Sequence, residues 1–91
     1  MDVQKQIDYW RKGSEEDLEV AERLLQMRKL RHGMFFAHLA VEKMLKAHVV
    51  NRTKSIPPKI HNLERLGKLS GLSIGPRRLD FKEIRHLSVG G

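Results

Sequence analysis

Val3, Ile7, Trp10, Ser14, Leu18, Ala21 and Leu25 recur at three- and four-residue spacing, which lines them along one stripe of a helix. The stripe keeps its phase across Gly13, so the spacing predicts one long helix over about residues 2–28. Ser14-Glu15-Glu16-Asp17 resembles a capping box and offers a competing start at Ser14. After Arg28-Lys29-Leu30-Arg31-His32-Gly33 the pattern changes. Met34, Phe35, Phe36, Ala37, Leu39, Ala40, Val41, Met44, Leu45, Ala47, Val49 and Val50 make a segment that is apolar around most of its circumference. A helix of that kind, over about 32–51, is expected to be central and buried.

Ile56-Pro57-Pro58 cannot continue that helix, because proline lacks an N–H and forces its predecessor into extended backbone. Ile60, Leu63, Leu66 and Leu69 then align on a short helix over about 61–70, capped by Asn62 or a neighbour and stopped by Gly71. Gly75-Pro76 marks another loop, and Phe81, Ile84 and Leu87 support a last short helix over about 77–87. No strand-like alternation competes, so the expected fold is all-α: an up-and-down antiparallel bundle of about four helices. At 91 residues the chain is read as a single domain, 1–91.

Composition narrows the function classes. With no cysteine, disulfide scaffolds, thiolate zinc modules and thiol nucleophiles are excluded. No apolar run approaches the roughly 18 residues a membrane span needs, and the N-terminus leads into no signal-like core, so a cytoplasmic protein is expected. The formal charge of +7 is uneven: residues 1–27 carry seven acids and four bases, residues 28–91 four acids and fourteen bases. Such asymmetry suits an acidic polymer, an acidic face on the same or another molecule, or simply a solvated basic surface. A core this small is marginal by itself, so self-association is expected.

Arg31, His38, Glu42 and Lys46 lie seven, four and four residues apart, which confines them to a helical sector of roughly 80°. One reading is an ordinary four-apart ion pair, Glu42 with Lys46, beside a His at the helix edge. The other is a site where His38 serves as acid or base while Arg31, Lys43 and Lys46 hold phosphate. His61, where a loop enters a helix, is a second candidate acid or base or a local hydrogen-bonding residue. His32, His48 and His86 are scattered without metal-ligand spacing, so neither a metal nor any other cofactor is expected. Gly71-Leu72-Ser73-Ile74-Gly75 lacks the Gly-Lys-Ser/Thr ending of a phosphate loop, and a Ser-based hydrolase is unsupported. The link from Asn51 to Ile60 is too long for a helix-turn-helix. Phe35 and Phe36 are assigned to the core, which argues against a single-strand stacking platform.

Tyr9-Trp10, Asp17-Leu18 with Ala21, Phe35-Phe36-Ala37-His38-Leu39-Ala40-Val41-Glu42-Lys43-Met44-Leu45-Lys46-Ala47, and Pro58-Lys59-Ile60-His61-Asn62-Leu63 together resemble the HEPN domain family (higher eukaryote and prokaryote nucleotide-binding). The resemblance spans about residues 7–70. It implies a bundle of four or five helices that dimerises, in prokaryotes often encoded beside a minimal nucleotidyltransferase as a two-component, toxin-antitoxin-like pair. Many members are metal-independent ribonucleases whose Arg, followed four to six residues later by His, lies on a late helix and assembles across the dimer. Here Arg77 and Arg78 precede His86 by nine and eight positions, and Arg31 and His38, with six residues between them, lie at the start of the second helix. The chain thus resembles a shortened or divergent member in which Arg77 to Gly91 replaces the usual late region.

Three functional readings follow from the sequence. The first, which the resemblance implies, is an interaction module: a homodimeric subunit that binds a nucleotidyltransferase-type partner or a nucleotide, with Arg31, His38, Lys43 and Lys46 as polar contacts. The second is a ribonuclease using His38 or His61 as acid or base, with Arg31, Lys46 or Arg78 stabilising negative charge. The third is a non-specific RNA-binding protein driven by the basic segment.

Overall fold

The computed structural model describes residues 2–59 and 62–70, and all regular structure among them is helical. Helix α1 spans Val3–Gln26 without a break at Gly13. Its N-cap is Asp2, whose carboxylate accepts from the Lys5 backbone N–H at 3.1 Å. Ser14 therefore caps nothing. It is fully buried, and its hydroxyl donates instead to the Ala40 carbonyl of the next helix at 2.7 Å.

α1 ends in a tight three-residue turn. The Arg28 N–H donates to the Leu25 carbonyl at 3.0 Å and the Lys29 N–H to the Leu24 carbonyl at 2.9 Å, the paired bonds of a Schellman motif. Arg28 occupies the left-handed position with φ 61°. Helix α2, Leu30–Thr53, starts immediately afterwards. It runs back along α1: Gly33 meets Leu25 and Ala21, Ala40 meets Ser14, Lys43 meets Gly13 and Asp17, and Lys46 meets Trp10. Partners that fall in number on α1 as they rise on α2 define an antiparallel hairpin. Gly33 leaves no room for a side chain, since a Cβ there would stand 2.6 Å from Leu25 Cδ2.

α2 stops at Lys54, again left-handed with φ 57°. A link containing the exposed Ile56 and the buried Pro57 leads to α3, Leu63–Ser70. Asn62 caps α3, its side-chain oxygen accepting from the Arg65 N–H at 3.0 Å. Leu66 enters the core with Leu18, Ala40, Met44, Leu45 and Val49, while Val41 and Leu63 pack against that cluster.

The core is thus concentrated on the second half of α2. The expectation of a uniformly buried central helix needs correcting for its first half, where Leu30, Met34 and Phe35 are exposed. Among the described residues α1 packs along α2, while α3 packs against α2 and places Leu66 in one core cluster with Met44, Leu45 and Val49. The expected short helix over 77–87 lies outside the described residues, as does the expected stop at Gly71.

Candidate functional site

The phosphate-binding candidates all sit on α2, where one turn of helix separates residues with very different surroundings. Arg31, in the first turn, is exposed. His38, about 10 Å farther along the axis, has a half-exposed side chain, and its Nε2 lies 3.9 Å from Glu42 Oε1. That separation exceeds a hydrogen bond but places a carboxylate behind the imidazole.

Glu42 and Lys46, by contrast, are buried at 5% and 6% exposure. The Lys46 ammonium donates to Glu42 Oε2 at 3.4 Å and stands 5.0 Å from the centroid of the Trp10 ring. It thus exchanges water for one carboxylate and one aromatic face, a cation-π contact across the α1–α2 seam. The Trp10 indole N–H is itself buried without a hydrogen-bond acceptor among the described residues. Tyr9, exposed, sets its ring edge-on to Trp10 at 5.0 Å between centroids.

Lys43 reaches across to α1, its ammonium 2.7 Å from Asp17 Oδ2. The contact lies off the hydrogen-bonding direction, so it is an ion pair held by charge. Its path is open because Gly13 has no side chain: a Cβ there would stand 3.0 Å from Lys43 Cδ. The four candidate phosphate-binding residues on α2 therefore divide into two pairs. Lys43 and Lys46 are engaged with Asp17, Glu42 and Trp10 and hold α1 to α2; Arg31 and His38 face outward.

Phe35 also needs reassignment. It was expected in the core, yet it is 59% exposed and packs edge-on to Phe36 at 5.5 Å between centroids. The participation of Trp10, Gly13 and Asp17 could not be anticipated from α2 alone. Their one sequence signal is that Trp10, Gly13 and Asp17 recur at three- and four-residue spacing along the inward side of α1. His61, Arg77, Arg78 and His86 lie outside the described residues.

Among the described residues no group of three His, Cys, Asp or Glu is arranged to hold a metal ion, and no helix is long and apolar enough to cross a membrane. A family model for the HEPN domain matches residues 7–88. The match takes in the Phe35–Ala47 block and extends well past residue 70, where the sequence resemblance ended. No curated protein and no solved structure gives a significant match to the chain.

Proposed function

Because this chain belongs to the HEPN domain family, we propose that it is an interaction module that binds a phosphate-bearing ligand, a nucleotide or RNA, through Arg31 and His38. In this reading it acts in the cytoplasm as the partner subunit of a minimal nucleotidyltransferase, in a toxin-antitoxin-like pair. The division of labour on α2 carries the ligand assignment: the two lysines are spent on the α1–α2 seam, leaving Arg31 and His38 open to solvent on one side of the helix. A guanidinium is suited to phosphate because its planar fork of donors matches two oxygens at once. Binding of ATP and of a short single-stranded RNA, measured by calorimetry, is expected to weaken about tenfold in Arg31→Ala. Affinity unchanged in both Arg31→Ala and His38→Ala would overturn the assignment. Pairing is checked separately, by co-purification with a minimal nucleotidyltransferase from a neighbouring gene; no complex would remove the subunit role.

A second reading, a metal-independent ribonuclease, is favoured by one observation. Glu42 Oε1 behind the half-exposed His38, 3.9 Å away, is the kind of backing that orients an imidazole acid or base. RNA cleavage in the presence of a chelator, lost in His38→Ala, would establish it over the binding module.

A further inference from the structure

Met27 in the interhelical turn and Leu30, Met34 and Phe35 on α2 are each 59% to 65% exposed. They stand at the end of the hairpin where α1 gives way to α2. α3 does not cover that end, since Leu66 joins the core with Met44, Leu45 and Val49 farther along α2. Cations alternate with the apolar side chains: Arg28 and Lys29 lie between Met27 and Leu30, and Arg31 and His32 between Leu30 and Met34, all four exposed. From Arg23 to Val41 the sequence contains no Asp or Glu. The nearest acids on α1 are the half-buried Glu22 and Glu19, and Glu19 is paired with Arg23 at 3.0 Å.

Large apolar side chains exposed together mark a contact surface, and the pattern separates the occupants that compete for this one. A nucleic-acid strip needs stacking rings, and three of the four exposed apolar side chains have none. A protein partner takes about 800 Å² from each side of a standard interface, with a centre poor in Lys. With about 200 Å² for a fully exposed large side chain, four at three-fifths exposure present only roughly 500 Å², and Lys29 stands among them. A bilayer surface needs neither rings nor a wide footprint. It takes apolar side chains below the level of the lipid phosphates while Lys and Arg stems extend up to those phosphates, so alternation along the chain becomes layering in depth. The acid-free stretch fixes the sign of that surface as negative.

We infer that the α1–α2 end of the hairpin is a peripheral docking site for an anionic phospholipid surface, with Met27, Leu30 and Met34 entering the apolar layer and Arg28 and Lys29 meeting headgroup phosphates. The hairpin rests on the bilayer and does not cross it; no described helix is long and apolar enough to do so. A few apolar side chains alone hold a membrane weakly, and each cation beside an anionic leaflet adds about fivefold in affinity, so binding requires both. The site goes beyond the ligand reading above and does not depend on it, because Arg28 and Lys29, not Arg31 and His38, carry the charge.

The test is flotation of the full chain with vesicles of phosphatidylcholine alone and of phosphatidylcholine with about one-third phosphatidylglycerol. Binding is expected to the anionic vesicles only and to weaken as salt is added. Arg28→Gln with Lys29→Gln is expected to lower the partition coefficient about 25-fold, with ATP affinity unchanged, so this site and the Arg31–His38 reading fail separately. Leu30→Ser with Met34→Ser is expected to lower it at least about tenfold with helical circular dichroism unchanged. The cysteine-free sequence adds a check of orientation: an environment-sensitive dye on Met27→Cys is expected to shift to the blue on anionic vesicles, and the same dye on Glu16→Cys, on the exposed side of α1, to stay unshifted. No binding to anionic vesicles would overturn the inference, as would equal binding to neutral ones. Binding that survives Leu30→Ser with Met34→Ser would reduce it to adsorption of a basic chain, which also overturns it. Loss of RNA binding or of self-association in that variant, from a chain that ignores vesicles, would assign the face to nucleic acid or to protein instead.

Discussion

Glu42 and Lys46 are the residues whose surroundings depart most from what their spacing suggests. Four apart on a helix, such a pair usually lies in water and contributes a few tenths of a kcal/mol. Here both are buried, so the Lys46 ammonium depends on Glu42 and on the Trp10 ring for what water would otherwise supply. Removing one member of a buried pair is far more damaging than removing both, because the survivor keeps its desolvation cost without its partner. Glu42→Leu is therefore expected to destabilise the fold by about 3 kcal/mol in urea unfolding, and Glu42→Leu combined with Lys46→Met to regain most of that loss. Equal losses in the single and double variants would show that the ion pair is not the source. The pairing of Glu42 with Lys46 was legible in the sequence; its burial was not. Four-residue spacing fixes which side chains share a helix face but not whether another helix covers that face.

At the scale of elements, the turn between α1 and α2 carries a conformational penalty that the sequence does not relieve. The left-handed position of a Schellman motif is normally glycine, because an L side chain there crowds the following carbonyl. This chain places Arg28 at it, with φ 61°. Arg28→Gly is expected to stabilise the hairpin by about 1 kcal/mol, read as a higher denaturation midpoint with an unchanged slope. A lower midpoint would mean that the Arg28 side chain contributes more than its backbone strain costs. The long α1 was legible because its apolar stripe keeps helical phase through Gly13. Asn62 as the α3 cap and the end of α2 before the prolines followed from local chemistry too. The first half of α2 misled because apolarity around a whole helix reports a demand for cover, while the cover itself depends on neighbours. α3 supplies it near Met44, Leu45 and Val49 and not at Phe35. Gly33 shows the converse: an unremarkable helical glycine in sequence, it is the point where Leu25 seats. Gly33→Val is expected to cost about 2 kcal/mol in the same unfolding experiment.

For the molecule as a whole, the question is whether its +7 charge acts diffusely or through two side chains. The two alternatives differ in salt dependence. Binding of single-stranded RNA through Arg31 and His38 displaces one or two counterions per chain, which predicts a slope of about −1 in log affinity against log salt. A slope steeper than about −4 would mean that the wider basic segment is engaged and that the third reading of the sequence, non-specific RNA binding, is the better one. The all-α class was legible from composition and periodicity together. The outward Arg31–His38 pair was legible only as half of a longer stripe, since the diversion of Lys43 and Lys46 to the seam depends on Gly13, Asp17 and Trp10 across the hairpin. That seam also has an optical side. Trp10 is the chain's single tryptophan, its indole N–H is sealed from water, and a cation rests 5.0 Å from its ring. Its emission colour and yield therefore report whether α1 lies against α2, so the protein carries a native, label-free gauge of hairpin closure that circular dichroism, which counts helix wherever it forms, cannot provide.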